Sequence, residues 1–276
     1  MDAQQRIAVT GATGRLGSHL VEVLEGSGHE VVSIARSTGV DVITGEGLED
    51  ALAGVDTVVD TATGPSPDKD AAMQFFVTAA RNLQDGGGRA GVRRIVGVSI
   101  IGCDRFTGGL YGGYYAAKAT QERALLEGPI PAQILRAAQF HEFVGQLLDW
   151  STHGDVAHVT AMRTQLVAAR SVAEALADVA TRPDVAEPGS AISEIAGPRV
   201  ERLVDAARLL ASRRGGPARV EETSDPDDPD RDLYAGDGLL PGPHAALAGP
   251  TFAEWLDAQA AGTAGARPDR DVAPRH

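Results

Sequence analysis

Along the first 136 residues, short β-branched apolar runs alternate with longer stretches of helical spacing. Ile7, Ala8 and Val9 form an unbroken apolar run, the pattern of a strand buried on both faces. A turn rich in glycine follows over 11–17, then a helical pattern to Leu24. Residues 30–35 read as a second strand, 39–43 as a short third one, 48–52 as a helix, 55–60 as a strand and 71–83 as a helix. Strands over 95–99 and 133–135, with a helix over about 114–126 between them, close the series. Gly86, Gly87 and Gly88 together cost a helix about 3 kcal/mol relative to alanine, so the helix before them is expected to stop near Gln84. This alternation predicts βαβ units, hence an α/β fold with a parallel sheet covered by helices on both faces.

Beyond Arg136 the pattern loosens. Residues 165–169 read as a strand leading into a helix capped by Ser171, with Val172, Leu176 and Val179 on one face. Val200, Leu203, Val204, Ala207, Leu210 and Ala211 recur at helical spacing. Pro241, Pro243 and Pro250 interrupt the next segment, which ends in a short helix over 252–256. Residues 221–232 hold seven carboxylates and two prolines without the glycine and ligand spacing of a calcium loop, and read as a solvated acidic loop. The expected organisation is a nucleotide-binding core over 1–150, a small substrate-covering lobe over 151–261 continuous with it, and a disordered tail over 262–276.

Composition narrows this picture. The 276 residues carry 25 Lys and Arg against 38 Asp and Glu, a net charge of −13. That excess argues against a nucleic-acid groove or an anionic membrane as partner. The single cysteine, Cys103, excludes an intramolecular disulfide and a cysteine-based zinc site, and no metal site is expected. No apolar stretch approaches membrane-spanning length and no signal-peptide core opens the chain, so a cytoplasmic location is expected. Only two of the basic residues are lysines, Lys69 and Lys118.

Thr10 to Gly17 spells a G-x-x-G-x-x-G turn between the first strand and the first helix. Glycine is needed where the chain turns sharply and where backbone must approach a pyrophosphate, and the helix start offers unpaired N–H groups to that anion. Gly11, Thr13, Gly14, Arg15, Leu16 and Gly17 are therefore expected to bind a dinucleotide, with Thr61 and Ala62 passing beside it. The second strand ends in Ala35-Arg36-Ser37, without the carboxylate that holds a free ribose 2′-hydroxyl. Arg36 and Ser37, with Arg15 close by, suit a 2′-phosphate, so the expected cofactor is NADP(H).

Tyr111, Tyr114 and Tyr115 cluster just before Lys118, and Ser99 ends a strand at the edge where open α/β sheets bind ligands. Tyr114 and Lys118 stand four apart on one helix face, while Tyr115, three before Lys118, shares much of that face. Together with the glycine turn, Ser99 and Tyr114-Tyr115-Ala116-Ala117-Lys118 resemble the short-chain dehydrogenase/reductase superfamily. Ala51-Leu52-Ala53-Gly54-Val55-Asp56, Gly91-Val92-Arg93-Arg94 and the run from Ile134 to Phe143 make the chain most similar to its atypical, NmrA-like NAD(P)H-binding branch.

The resemblance implies a Rossmann-like doubly wound sheet and a catalytic set of Ser99, Tyr114 and Lys118. Tyr114, or Tyr115 in its place, would protonate a substrate carbonyl, Ser99 would orient it, and Lys118 would also hold the nicotinamide ribose. A free tyrosine titrates near ~10, and an ammonium about 4 Å away could lower that by roughly three units at an effective dielectric near 20. The pocket is expected to include Tyr111, Gln139, Phe140 and His141, with His141 either an acid–base group or a packed core histidine. The glycine-rich stretch over 102–113 reads as a substrate lid or a plain connector. Phe106, Phe140, Phe143 and Trp150 suggest an apolar or aromatic substrate with a carbonyl or quinone group. A non-catalytic NADP(H)-binding redox sensor is the alternative; sugar-nucleotide epimerisation is disfavoured because the C-terminal half is short.

Overall fold

All but one of the expected elements of the first half form in the computed structural model, which describes residues 4–64, 66, 68–106, 108–182 and 191–265. In chain order these are β1 (Arg6–Thr10), α1 (Arg15–Gly26), β2 (Glu30–Ile34), α2 (Leu48–Leu52), β3 (Thr57–Asp60) and α3 (Lys69–Ala90). Then follow β4 (Arg94–Ile100), α4 (Gly109–Leu126), β5 (Ala132–Ala137) and α5 (His141–Ser151). The second half adds β6 (Thr152–His153), β7 (Val156–Thr160), β8 (Arg163–Thr164), α6 (Ala169–Thr181), β9 (Ile192–Ala196) and β10 (Glu201–Arg202). It ends with α7 (Leu203–Arg214), β11 (Arg219–Thr223), α8 (Arg231–Ala235), β12 (Ala246–Leu247) and α9 (Phe252–Gly265).

Seven strands pair in parallel in the order β12-β9-β5-β4-β3-β1-β2. The expected Rossmann-like doubly wound sheet is therefore present. Because β2 and β3 lie on opposite sides of β1, the chain reverses its direction of winding there, and a crevice opens at the carboxyl ends of β1 and β3. One face of the sheet packs Ile7, Val9 and Val96 against Leu20 and Leu24 of α1 and Val172 and Leu176 of α6. The other packs Val58, Ile95 and Ile134 against Leu52, Leu83 and Leu125. A third core, built on Phe106, Tyr115, Val144, Leu147, Val159, Leu203, Tyr234 and Phe252, lies at the carboxyl end. No helix among the described residues is long and apolar enough to cross a membrane.

Several local expectations give way to tertiary packing. Residues 39–43 form no strand: Asp41 Oδ1 accepts from the amides of Ile43 (2.7 Å) and Thr44 (3.3 Å), and Asn82 Nδ2 takes the carbonyls of Val42 (2.8 Å) and Ile43 (2.9 Å). Helix α3 does not stop at Gln84 but runs through all three glycines to Ala90, where Gly91 at φ +80° ends it. A Cβ on Gly87 would lie 2.9 Å from Ile130 Cδ1, so glycine there permits close approach of the helix, and packing offsets the low propensity. Ser171 is no cap; α6 starts at Ala169, whose amide donates to Glu142 Oε2 at 3.3 Å. Val200 is exposed ahead of α7.

The region 151–261 is interleaved with the sheet. Helix α6 and strands β9 and β12 return to the central layer, while β6, β7 and β11 form a separate small sheet and β8 pairs with β10. Helix α9 runs to Gly265; the remainder of the expected tail lies outside the described residues. The acidic stretch is not wholly solvated either: Asp230 is buried and accepts the Gly108 amide at 2.9 Å, tying this stretch to the glycine-rich one before α4.

Candidate functional site

The glycine turn sits in the crevice beside β1 and β3. Gly11 adopts φ +64°, and a Cβ there would lie 2.9 Å from both Ala62 Cα and the Thr61 carbonyl. A Cβ on Gly17 would overlap the Gly11 carbonyl, so the start of α1 can rest on the turn only as glycine. Gly14 differs: it precedes α1 at φ −79°, is exposed, and would place a Cβ 3.1 Å from the Gly11 oxygen with no other neighbour within 4 Å. The first turn of α1 carries no acidic residue, and its amides have no intrahelical acceptors. A backbone held open by Gly14 at the positive end of a helix fits a pyrophosphate.

Thr13 and Arg15 are exposed on this turn, while Leu16 is buried beneath it. Arg36 and Ser37 lie exposed on a 3-10 turn directly after β2. Among the described residues neither Arg15 nor Arg36 takes part in an ion pair, whereas most other arginines do. Thr61 Oγ1 donates to the Thr10 carbonyl at 2.6 Å, and Ala62 packs on Gly11. The structure therefore brings the expected cofactor residues to one edge.

A buried polar chain connects this turn to α4. Asp60, closing β3, accepts from Thr10 Oγ1 at 2.5 Å, from the Ala62 amide at 3.2 Å and from Gln121 Nε2 at 2.7 Å. Gln121 Oε1 in turn accepts from Lys118 Nζ, which also donates to the Val98 carbonyl at 2.8 Å and lies 4.4 Å from the centre of the Phe76 ring. Burial pulls the Lys118 ammonium down to about 8, and the Asp60 carboxylate acts against that fall.

The helix rotation separates the two tyrosines. Tyr114 faces Phe76, ring centres 5.5 Å apart at 73°, on the Lys118 side of α4. Tyr115 is buried in the third core against Phe106 and Tyr234. Burial pushes the Tyr114 phenol up to about 12, and the Lys118 ammonium is turned onto Val98 and Gln121. Ser99 is buried with its hydroxyl 3.6 Å from Cys103 Sγ. Cys103 donates to Glu122 Oε1 at 3.3 Å, and Arg136 grips Glu122 at 2.7 and 2.9 Å.

The remaining expected pocket residues are spread out. Tyr111 meets Phe143 and Tyr234 edge-on, and its amide donates to the Tyr234 hydroxyl at 3.3 Å. Gln139 Oε1 accepts from Thr164, and its side-chain amide lies against the Tyr115 phenol. Phe140 packs on the central core and its backbone bridges to Val167. His141 is fully buried, 3.1 Å from the Pro250 carbonyl and between Phe252 and Trp255. Trp150 is exposed, away from the aromatic cluster. Sequence reasoning missed Asp60, Gln121 and Phe76. A carboxylate ending an otherwise buried strand, and a glutamine three residues after Lys118, were the available signals.

Residues 11–183 match the family model described as NAD(P)H-binding. A 3-beta-hydroxysteroid dehydrogenase of Mycolicibacterium neoaurum is 34% identical over 112 residues, 33% of this chain; the match spans 31% of that curated relative's length. Among solved structures, MoeE5 in complex with UDP-glucose and NAD aligns with TM-score 0.66 and 21% identity over 92% of this chain and 99% of its own. UDP-N-acetylglucosamine 4-epimerase from Bacillus cereus aligns with TM-score 0.66 and 17% identity over 98% and 99%. A short-chain dehydrogenase/reductase superfamily protein from Agrobacterium tumefaciens with bound NAD gives 0.66 and 17% over 94% and 97%. These three likenesses establish the fold.

Proposed function

The chain belongs to the NAD(P)H-binding family, with the fold of the atypical short-chain dehydrogenase/reductase superfamily, and from that premise we propose an NADPH-dependent oxidoreductase. It reduces a carbonyl or quinone group of a small, largely apolar or aromatic molecule. The observation that carries this reading is the placement of Tyr114 and Lys118 on one face of α4, joined through Gln121 and Asp60 to the glycine turn. The aromatic cluster of Phe106, Tyr111, Tyr115 and Tyr234 and the partial likeness to a steroid dehydrogenase agree with an apolar substrate.

Gly11, Gly14 and Gly17 with the start of α1 hold the pyrophosphate, Thr61 and Ala62 line its path, and Arg36, Ser37 and Arg15 meet the 2′-phosphate. Lys118 holds the nicotinamide ribose hydroxyls. When bound, the reduced nicotinamide supplies a hydride to the carbonyl carbon. Tyr114 delivers the proton to the carbonyl oxygen, giving an alcohol; burial keeps the phenol in the protonated form a donor needs. Ser99 orients that oxygen once its hydroxyl turns from Cys103.

The test is NADPH oxidation over a panel of quinones and aromatic ketones. Tyr114→Phe is expected to lose about 10²–10⁴-fold in turnover. Arg36→Ala is expected to weaken NADPH roughly tenfold or more while sparing NADH. Wild-type turnover by Tyr114→Phe, or equal affinity for the two cofactors, overturns the corresponding assignment. The commitment of the Lys118 ammonium to Val98 and Gln121, with no Tyr114–Lys118 hydrogen bond among the described residues, favours the second reading, a non-catalytic NADP(H) sensor. Tight NADPH binding with no turnover on any substrate selects it.

A further inference from the structure

We infer that Gln121 is a positioning residue for Lys118, holding the ammonium at a set distance from Asp60 and thereby coupling it to the glycine turn. The inference rests on the functional reading of Lys118 given above.

The orientation of the Gln121 amide follows from its neighbours. A carboxylate only accepts, so Nε2 must face Asp60; an ammonium only donates, so Oε1 must face Lys118. Gln121 is 2% exposed and Asp60 1%, so water does not compete for these bonds. Asp60 spends its other oxygen on Thr10 and Ala62, the residues on either side of Gly11 in space. One carboxylate therefore braces the turn that receives phosphate and, through one amide, the lysine that receives ribose.

A direct Asp60–Lys118 pair would draw the ammonium down into the sheet. The intervening amide keeps Nζ one side-chain amide further out, against the Val98 carbonyl and the face of Phe76, while Asp60 still compensates the buried charge. Lys118 then has two of its three N–H groups committed before any ligand arrives. Removing Gln121 leaves the lysine free to turn onto the carboxylate and lose its grip on a ribose.

The experiment compares two ligands by titration calorimetry: NADPH, and 2′,5′-ADP, which lacks the nicotinamide ribose. Gln121→Leu is expected to bind 2′,5′-ADP like wild type, which also shows that it folds, and to bind NADPH roughly tenfold more weakly, the loss of about one charge-assisted hydrogen bond. Lys118→Met is expected to show the same split, and the double variant to be no weaker than Lys118→Met alone. Gln121→Glu, which keeps an acceptor for the ammonium but turns a second carboxylate onto Asp60, is expected to weaken NADPH as Gln121→Leu does. Equal weakening of both ligands, no weakening of either, or additive losses in the double variant overturns the role of Gln121. Absence of the split in Lys118→Met instead overturns the functional reading of Lys118, and this inference with it.

Discussion

A single methyl group at two glycines three residues apart is expected to have opposite effects. In Gly17→Ala the new Cβ lies 2.7 Å from the Gly11 carbonyl carbon and 2.9 Å from Ala12 Cα, backbone atoms that cannot rotate away. Overpacking of this kind costs roughly 1–3 kcal/mol. At about 2–4 °C per kcal/mol for a domain approaching this size, the melting temperature falls by about 2–12 °C. In Gly14→Ala the backbone, at φ −79° and ψ 173°, already suits alanine, and the nearest atom is the Gly11 oxygen at 3.1 Å. Reduced freedom of the unfolded chain offsets that contact by about 0.4–1 kcal/mol, so the unliganded Tm stays within about 3 °C of wild type. Cofactor binding separates the two in the other direction. At a free NADPH concentration of about 100 Kd the wild type gains about 2.7 kcal/mol, or roughly 5–11 °C. Gly14→Ala loses most of that gain, because its methyl group occupies the approach to the phosphates. Differential scanning fluorimetry with and without NADPH reads both quantities. An undiminished ligand shift in Gly14→Ala, or an unliganded Tm as low as that of Gly17→Ala, would refute the division of labour between these glycines.

Three further outcomes follow from the buried groups. Burial and the Glu122 carboxylate push the Cys103 thiol up to about 12, so a disulfide reagent at pH 8 is expected to label one thiol only after denaturation; native labelling counts against this packing. Arg136→Met strands Glu122, a nearly buried carboxylate, and is expected to cost about 3–5 kcal/mol in urea unfolding, with Glu122→Leu in the same chain recovering much of it. If the double variant is no more stable than Arg136→Met, the pair is not what costs the energy. Burial holds the His141 imidazole below its ordinary value, so the folded state refuses a proton that the unfolded chain accepts. The His141 contribution is complete above about pH 6.5 and is lost as pH falls below it toward the lowered folded value, and His141→Phe is expected to flatten that part of the stability profile relative to wild type. Parallel profiles would remove His141 as the cause.

Strands β1, β3, β4 and β5, helix α1 and the glycine turn were legible in the chain because periodicity and turn chemistry are local. An apolar run buried on both faces, then glycines where no Cβ fits, carries its own structural reason in consecutive residues. The same local logic misjudged α3, where Gly87 is a site of contact with Ile130, 43 residues on, and misjudged 39–43, where Asn82 captures the backbone carbonyls. It recognised Lys118 as unusual in a chain with two lysines, but spacing alone left Tyr114 and Tyr115 open.

Only the tertiary structure decided what surrounds each of these groups. Tyr115 enters a core shared with Tyr234, Asp60 reaches Gln121 across 61 positions, and His141 meets a carbonyl 109 positions later. Where a backbone must bend is decided by the residues that bend. Whether a phenol, an ammonium or an imidazole holds its proton depends on which distant side chains exclude water from it and supply the compensating charge, and that is settled when the chain closes on itself.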